Sequence, residues 1–278
     1  MKGISVLISV YKSEKADYLD RALRSVWDEQ TLKPNKIVLV QDGPLGAELT
    51  LVINRWENKL GEHILIIRNE KNIGLTKSLI KGISEIDTDY IARMDSDDIS
   101  LPNRFAVQTE YLDKHPEIAV VGSDIIEFSD SAGDLGVRKY PRDTETAKKT
   151  IYKANPLAHP VVMMRKIMFD EGISYNKNYR TTQDLALWFD VLAAGYKVAN
   201  IDEPLLRFRR NDSVYHRRAN WSDSWLELKI HEKGIWKLYG MSPYKSLFPL
   251  ARFAIRLLPG SWIKKLYNGG LRKKIVEK

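Results

Sequence analysis

Cysteine is absent from all 278 residues, which excludes disulfides, thiolate metal sites and cysteine nucleophiles together. A chain of this length builds its core without covalent staples, and a reducing cytoplasm is compatible with it. Long uncharged apolar runs are missing too. No stretch reaches the roughly 18 residues that a membrane-spanning helix needs. The first apolar run, from Ile4 to Val10, is short and lacks a small-residue cleavage site, so it reads as a strand and not as a signal peptide. Repeats and low-complexity tracts are absent as well.

Charge is plentiful but unevenly placed. The formal net charge is +8, yet residues 205–278 hold 17 Lys+Arg against 5 Asp+Glu. The rest of the chain is slightly acidic. A near-neutral body followed by a basic tail suits a catalytic module joined to a segment that meets an anionic partner.

Within the body, strands alternate with amphipathic helices. Leu19, Ala22, Leu23, Val26 and Trp27 follow the first strand at the spacing of one helix face. Further strands are predicted at Lys36–Val40, Ile64–Arg68 and Tyr90–Met94, with helices around Ala47–Lys59 and from Leu75 to Ile86. Repeated β-α-β implies a parallel sheet with right-handed crossovers and a ligand crevice at the carboxyl ends of its strands.

Polar residues gather at that edge. Ser9 and Tyr11 close the first strand, Asp42-Gly43 the second, Asn72 and Gly74 follow the third, and Asp95-Ser96-Asp97-Asp98 follow the fourth. Three carboxylates at one strand exit repel one another unless a cation sits among them. Oxygen ligands favour Mg²⁺ or Mn²⁺, which usually bring a diphosphate. The competing reading makes Asp98 the N-cap of a helix starting near Pro102, and Asp42-Gly43-Pro44 is also an ordinary turn signature.

The segments Ile4–Tyr11, Ile37–Gly43, Asn72-Ile73-Gly74, Tyr90–Asp98, His159–Arg165 and Gln183–Trp188, in this order, resemble the family-2 glycosyltransferases. The likeness runs from about residue 3 to 215. It implies an α/β GT-A fold, Rossmann-like with a mostly parallel sheet, as a catalytic domain over 1–215. Residues 1–123 would form the nucleotide-sugar half and 124–215 the acceptor half, with 216–278 as a helical extension. It further implies that Ser9, Val10 and Tyr11 line a uracil pocket, that Asp42 accepts from uracil N3–H, and that Asn72 and Gly74 border the nucleotide. Asp95 and Ser96 would approach the ribose side, Asp97 would bind Mn²⁺ or Mg²⁺, and Asp98 would support it. Ser78 stands where the family commonly has Asn, and Gln41 where a second acid is frequent. A processive Gln-x-x-Arg-Trp motif is lacking, so one sugar per encounter is expected.

Thr181-Thr182-Gln183-Asp184 reads as a helix start with a threonine cap. Asp184 in the first turn is either a dipole-stabilised carboxylate or, as the resemblance implies, the general base of an inverting transfer. Arg207 and Arg209 alternate on an extended run, so both could face the same ligand, which the resemblance implies is a diphosphate; the alternative is a solvated basic loop. The resemblance also makes His216, in the basic stretch that follows, a metal-ligand candidate. His159, before Pro160, is either a structural residue or part of the acceptor side.

Four of the seven tryptophans lie at 221, 225, 236 and 262. Lys245, Arg252 and Arg256 share one side of a predicted helical segment beside an apolar surface, an arrangement able to turn cations toward anionic lipid or to dock on the body. The expected partners are a UDP-sugar donor and a lipid-linked saccharide of bacterial surface polysaccharide, at the cytoplasmic face of the membrane. A sugar-phosphate nucleotidyltransferase is the rival enzyme, but Ser9–Glu14 has no glycine for its phosphate loop. A nucleic-acid-binding protein would explain the basic tail and leave the acidic cluster unexplained, so no nucleic acid is expected.

Overall fold

The structure, a computed structural model, describes residues 3–210 and 221–256. Its first half follows the β-α-β pattern. β1 (Ile4–Val10), β2 (Lys36–Gln41), β3 (Ile64–Arg68) and β4 (Tyr90–Asp95) alternate with α1 (Ala16–Val26), α2 (Ala47–Leu60) and α3 (Leu75–Ser84). The four strands are parallel in the order β3-β2-β1-β4. Side chains alternate across a strand, so Val6, Ile8 and Val10 enter the core beneath α1 and α2 while Leu7 enters the one beside α3. Register sets Ser9 opposite both Val40 and Asp95, and Val10 opposite Gln41. The carboxyl ends of three strands therefore stop at one level.

Beyond β4 come β5 (Ile99–Ser100), α4 (Arg104–Lys114), β6 (Ile118–Ser129), β7 (Gly133–Arg138), α5 (Thr144–Thr150), β8 (Met163–Arg165), α6 (Ile167–Asp170), α7 (Gln183–Ala193) and β9 (Lys197–Arg209). The sheet continues as β4-β8-β6-β9-β5, with β7 paired to β6. β8 is antiparallel to β4 and β6, whereas β9 is parallel to β6.

Three expectations need correction. The divide at 123/124 falls inside β6, which runs unbroken through both residues and ties the halves into one sheet of nine strands. Asp98 caps no helix, because Ile99 and Ser100 pair with β9 and the residue at the N-cap of α4 is Asn103. Thr182 is the N-cap of α7 but makes no side-chain cap bond.

α8 (Trp221–Tyr239) packs along α7, and α9 (Pro243–Arg256) folds back on α8. Gly234 permits the first contact, since a Cβ there would stand 2.3 Å from the Phe189 ring. Of the two alternatives for this segment, Lys245 and Arg252 follow the docked one and turn toward the body. Lys245 Nζ lies 4.6 Å from the Tyr239 ring centre, and Arg252 bonds Glu227 at 3.1 Å and the carbonyl of Lys153. Paired carboxylate and aromatic partners on the body draw them in. No helix among the described residues is long and apolar enough to cross a membrane.

Candidate active site

The end of β2 is tied to the loop after β3. Asp42, 4% exposed, accepts from Ile73 N–H at 2.7 Å and Gly74 N–H at 2.9 Å, with Asn69 Nδ2 at 3.3 Å. Its first task is thus to pin that loop, and a base would share oxygens already engaged. Gly43 makes the approach possible, with φ of 90° and space for no Cβ, which would stand 2.6 Å from the Asn72 nitrogen. Gly74 opens α3 at φ 88°. Asn72 is exposed, its amide 3.4 Å from the Asp42 carbonyl.

Two neighbours differ from expectation. Val10 is fully buried, so its side chain belongs to the core, and Ser9 and the 44% exposed Tyr11 are what stand at the open edge. Ser78 is also fully buried and accepts from Asn69 Nδ2 at 3.2 Å, serving the loop from within.

Asp95, Asp97 and Asp98 each bring a carboxylate oxygen within 4.8 Å of the others. Asp95 is held by the Arg93 guanidinium. Asp98, 1% exposed, accepts from Arg209 N–H at 2.7 Å through Oδ1, while Oδ2 has no hydrogen-bond partner among the described residues. Ser96 spends its hydroxyl on Glu14 at 2.5 Å, which brings a fourth carboxylate to the turn. Burial, compounded by Asp95 and Glu14, pushes the Asp97 carboxyl up to about 7. Burial with Asp95 and Asp97 also carries Asp98 well above the usual carboxylate range. Crowded, dehydrated oxygen donors with one buried oxygen left over fit a hard divalent cation.

The arginines expected at a diphosphate are committed elsewhere. Arg209, 6% exposed, donates to the Asp97 carbonyl at 2.8 Å, pairs with Asp130, and lies 3.8 Å from the Tyr18 ring centre. It clamps the acidic turn. Arg207 pairs with Asp134, and both guanidinium groups lie 4.6 Å from the Phe128 ring centre. The two do share a face, but that face is the acidic β6–β7 hairpin. His216 lies outside the described residues.

Asp184 lies in the first turn of α7, where the helix dipole favours a carboxylate. Its Oδ2 accepts from Asn155 Nδ2 at 2.5 Å. Burial raises its pKa, while the Leu185 amide and the charge of Arg93 oppose the rise. The preceding Thr182 is left-handed at φ 59°, a conformation costly for a β-branched residue and one that clusters at functional sites. His159 is buried, bonds Tyr175 Oη at 2.6 Å, and is held well below its usual pKa by burial and by Arg93. A neutral imidazole packed against Trp188 is a structural residue and offers no charge to a diphosphate.

Arg93 joins these two regions. It is 2% exposed, bonds Asp95, and leaves Nε and Nη1 without hydrogen-bond partners among the described residues. Its charge acts on Asp98, His159, Tyr175 and Asp184. Sequence reading passed over it, although a cation inside an apolar strand is itself a signal. Glu14, Asn69, Asn155 and Tyr175 were missed as well, because their partners are distant in the chain.

Residues 5–172 match the family described as Glycosyl transferase family 2. The chain is 33% identical over 264 residues to the amylovoran biosynthesis glycosyltransferase AmsE of Erwinia amylovora, spanning 95% of this chain and 97% of that protein. It is 28% identical over 274 residues to the UDP-Gal:alpha-D-GlcNAc-diphosphoundecaprenol beta-1,3-galactosyltransferase of Escherichia coli, spanning 99% and 96%. Among solved structures, S. aureus TarS 1–349 in complex with UDP-GlcNAc is similar with a TM-score of 0.68 at 17% identity, over 91% of this chain and 72% of that one. The chain spans 43% of the longer TarS crystal structure. These structural likenesses are of fold.

Proposed function

This chain belongs to glycosyl transferase family 2, and on that premise we propose that it is an inverting, non-processive, metal-dependent enzyme of bacterial surface-polysaccharide synthesis. It takes one sugar from a UDP-sugar and places it on a hydroxyl of a lipid-diphosphate-linked saccharide at the cytoplasmic face of the membrane. The name of the Escherichia coli relative supports the UDP-sugar donor and the lipid-diphosphate-linked acceptor, and that of the Erwinia relative supports polysaccharide synthesis.

The observation that carries this reading is the acidic turn after β4, with its buried unpartnered Asp98 oxygen. Asp97 and Asp98, beside Asp95, would hold Mn²⁺ or Mg²⁺, which when bound offsets the negative charge of the departing diphosphate. Asp184, ionised, takes the proton of the acceptor hydroxyl. That oxygen forms a bond to the anomeric carbon from the side opposite the leaving group, and the carbon–oxygen bond to UDP breaks with its electron pair going to the β-phosphate oxygen. An α-linked donor thus yields a β-linked product without a covalent enzyme intermediate. Arg93 holds Asp95 in place and favours the charged form of Asp184.

Calorimetry of UDP binding, with Mn²⁺ and with chelator, tests the proposal. Binding should need the cation and should be lost in Asp97→Ala. Equal affinity in chelator would remove the metal from the mechanism.

A further inference from the structure

α9 departs from the usual pattern of a surface helix, whose outward side is polar: both Lys245 and Arg252 lie inward among apolar contacts, and the outward side is apolar as well. Lys245, Phe248, Pro249 and Arg252 face the body: Phe248 meets the Tyr152 ring at 5.3 Å, Pro249 is buried, and both cations are partnered as described above. The outward side carries Tyr244, Leu247, Leu250, Ala251, Ala254 and Ile255, all exposed. No charged side chain stands among its exposed, described residues. Leu247 is 61% and Tyr244 63% exposed. The corner with α8 extends the same character, because Trp236 is 72% and Met241 88% exposed. An apolar, aromatic-edged surface of this kind marks an interaction site.

We propose that the outward face of α9, with Trp236 and Met241 at its corner, is a docking surface for an anionic lipid bilayer, into which it inserts at the level of the headgroups. Two observations select lipid. Tyr and Trp at the margin of an aliphatic stripe match the interface between headgroups and acyl chains. The chain that continues from α9 carries Lys264, Lys265, Arg272, Lys273, Lys274 and Lys278 against a single acid, Glu277, a charge complement to anionic headgroups. Lys245 and Arg252 take no part in this contact. Their role is to fix α9 on the body so that its apolar side stays outward. The surface shares no residue with the candidate active site, and the inference stands on α9 itself.

A chain without cysteine allows a direct test on the full-length protein. Leu247→Cys and Leu51→Cys each provide one thiol for a polarity-sensitive fluorophore, the second on the 68% exposed position of α2. Added vesicles of equal phosphatidylglycerol and phosphatidylcholine should shift the emission of the label at 247 to the blue and expose it to quenching by nitroxide lipid, with no change at 51. In cosedimentation, the triple variant Tyr244→Ser, Leu247→Ser, Leu250→Ser should bind these vesicles at least about tenfold more weakly while UDP binding stays unchanged, which separates this inference from the transfer reaction. Absence of a shift at 247, equal shifts at both positions, or unaltered vesicle binding by the triple variant overturns it. A dimer in solution that the triple variant dissolves would assign the face to a second copy, and a label at 247 already shielded before vesicles are added would assign it to residues 257–278.

Discussion

Asp97 after β4 and Asp184 at the start of α7 are both desolvated by burial, with opposite resources to meet it. Around Asp97 stand Asp95 and Glu14, whose like charge adds to desolvation and outweighs the charge of Arg209, so the proton is retained up to about 7. Around Asp184 they are Asn155, the Leu185 amide and Arg93, so desolvation is opposed by donors and a cation. The difference teaches what each site lacks. One set of oxygens is short of positive charge in a way the protein leaves open. The other is matched by the fold and, as the proposed base, needs only a proton to receive.

The strongest way to break this comparison is at Asp184. Asp184→Asn keeps the shape and removes the proton acceptor, so transfer should fall by roughly 10²–10⁴ with UDP affinity little altered. In the parent enzyme the low-pH loss of transfer should fall at a pH above the usual carboxylate value of 3.8, since burial raises the group and only its ionised form is a base. A pH–rate profile of both proteins measures this, and an active folded variant would move the base elsewhere.

Arg93 tests whether the two sites share one support. On the proposed reading, Arg93→Met should weaken Mn²⁺ binding about 10–100-fold, as losing the partner of a carboxylate that borders the metal ligands does, and should also shift the acid limb of transfer upward. Arg93→Lys should recover part of both. A loss of stability with neither change would reduce Arg93 to packing.

A smaller effect sharpens the acidic turn alone. Protons compete with metal for Asp97, so Mn²⁺ affinity should be full above about pH 7 and decline below it, by on the order of tenfold per pH unit. Calorimetry across that range reads the slope, and a flat profile would mean that Asp97 is not a ligand.

The comparison also follows what the sequence makes legible. β1 to β4 are local: continuous apolar strands between periodic helices, with polar residues where each strand stops, and they fold as their spacing predicts. β9 is not. It reads as a basic extended run containing Pro204, Asp202 and Glu203, and becomes a long strand only through parallel pairing with β6, at a register that shifts around Asp124. Residue types at the donor edge announced themselves, yet Asp42, Ser96 and Arg209 turned out to hold the site's own parts together. A sequence shows which groups are present and not which partners they have already taken.

The clamp of Arg209 on the acidic turn has a consequence for how the enzyme comes into being. Its bonds to Asp98 and Asp97 join residues 111 and 112 positions apart, among the costliest closures in the chain. During synthesis the β1–β4 unit emerges first, with its turn of carboxylates complete in sequence but unsecured. The acidic turn can reach its final form only after β9 has left the ribosome, by which point α7 and the proposed base, Asp184, are already out. On the proposed reading, a nascent chain therefore completes the turn that would meet the donor no earlier than the segment that carries Asp184.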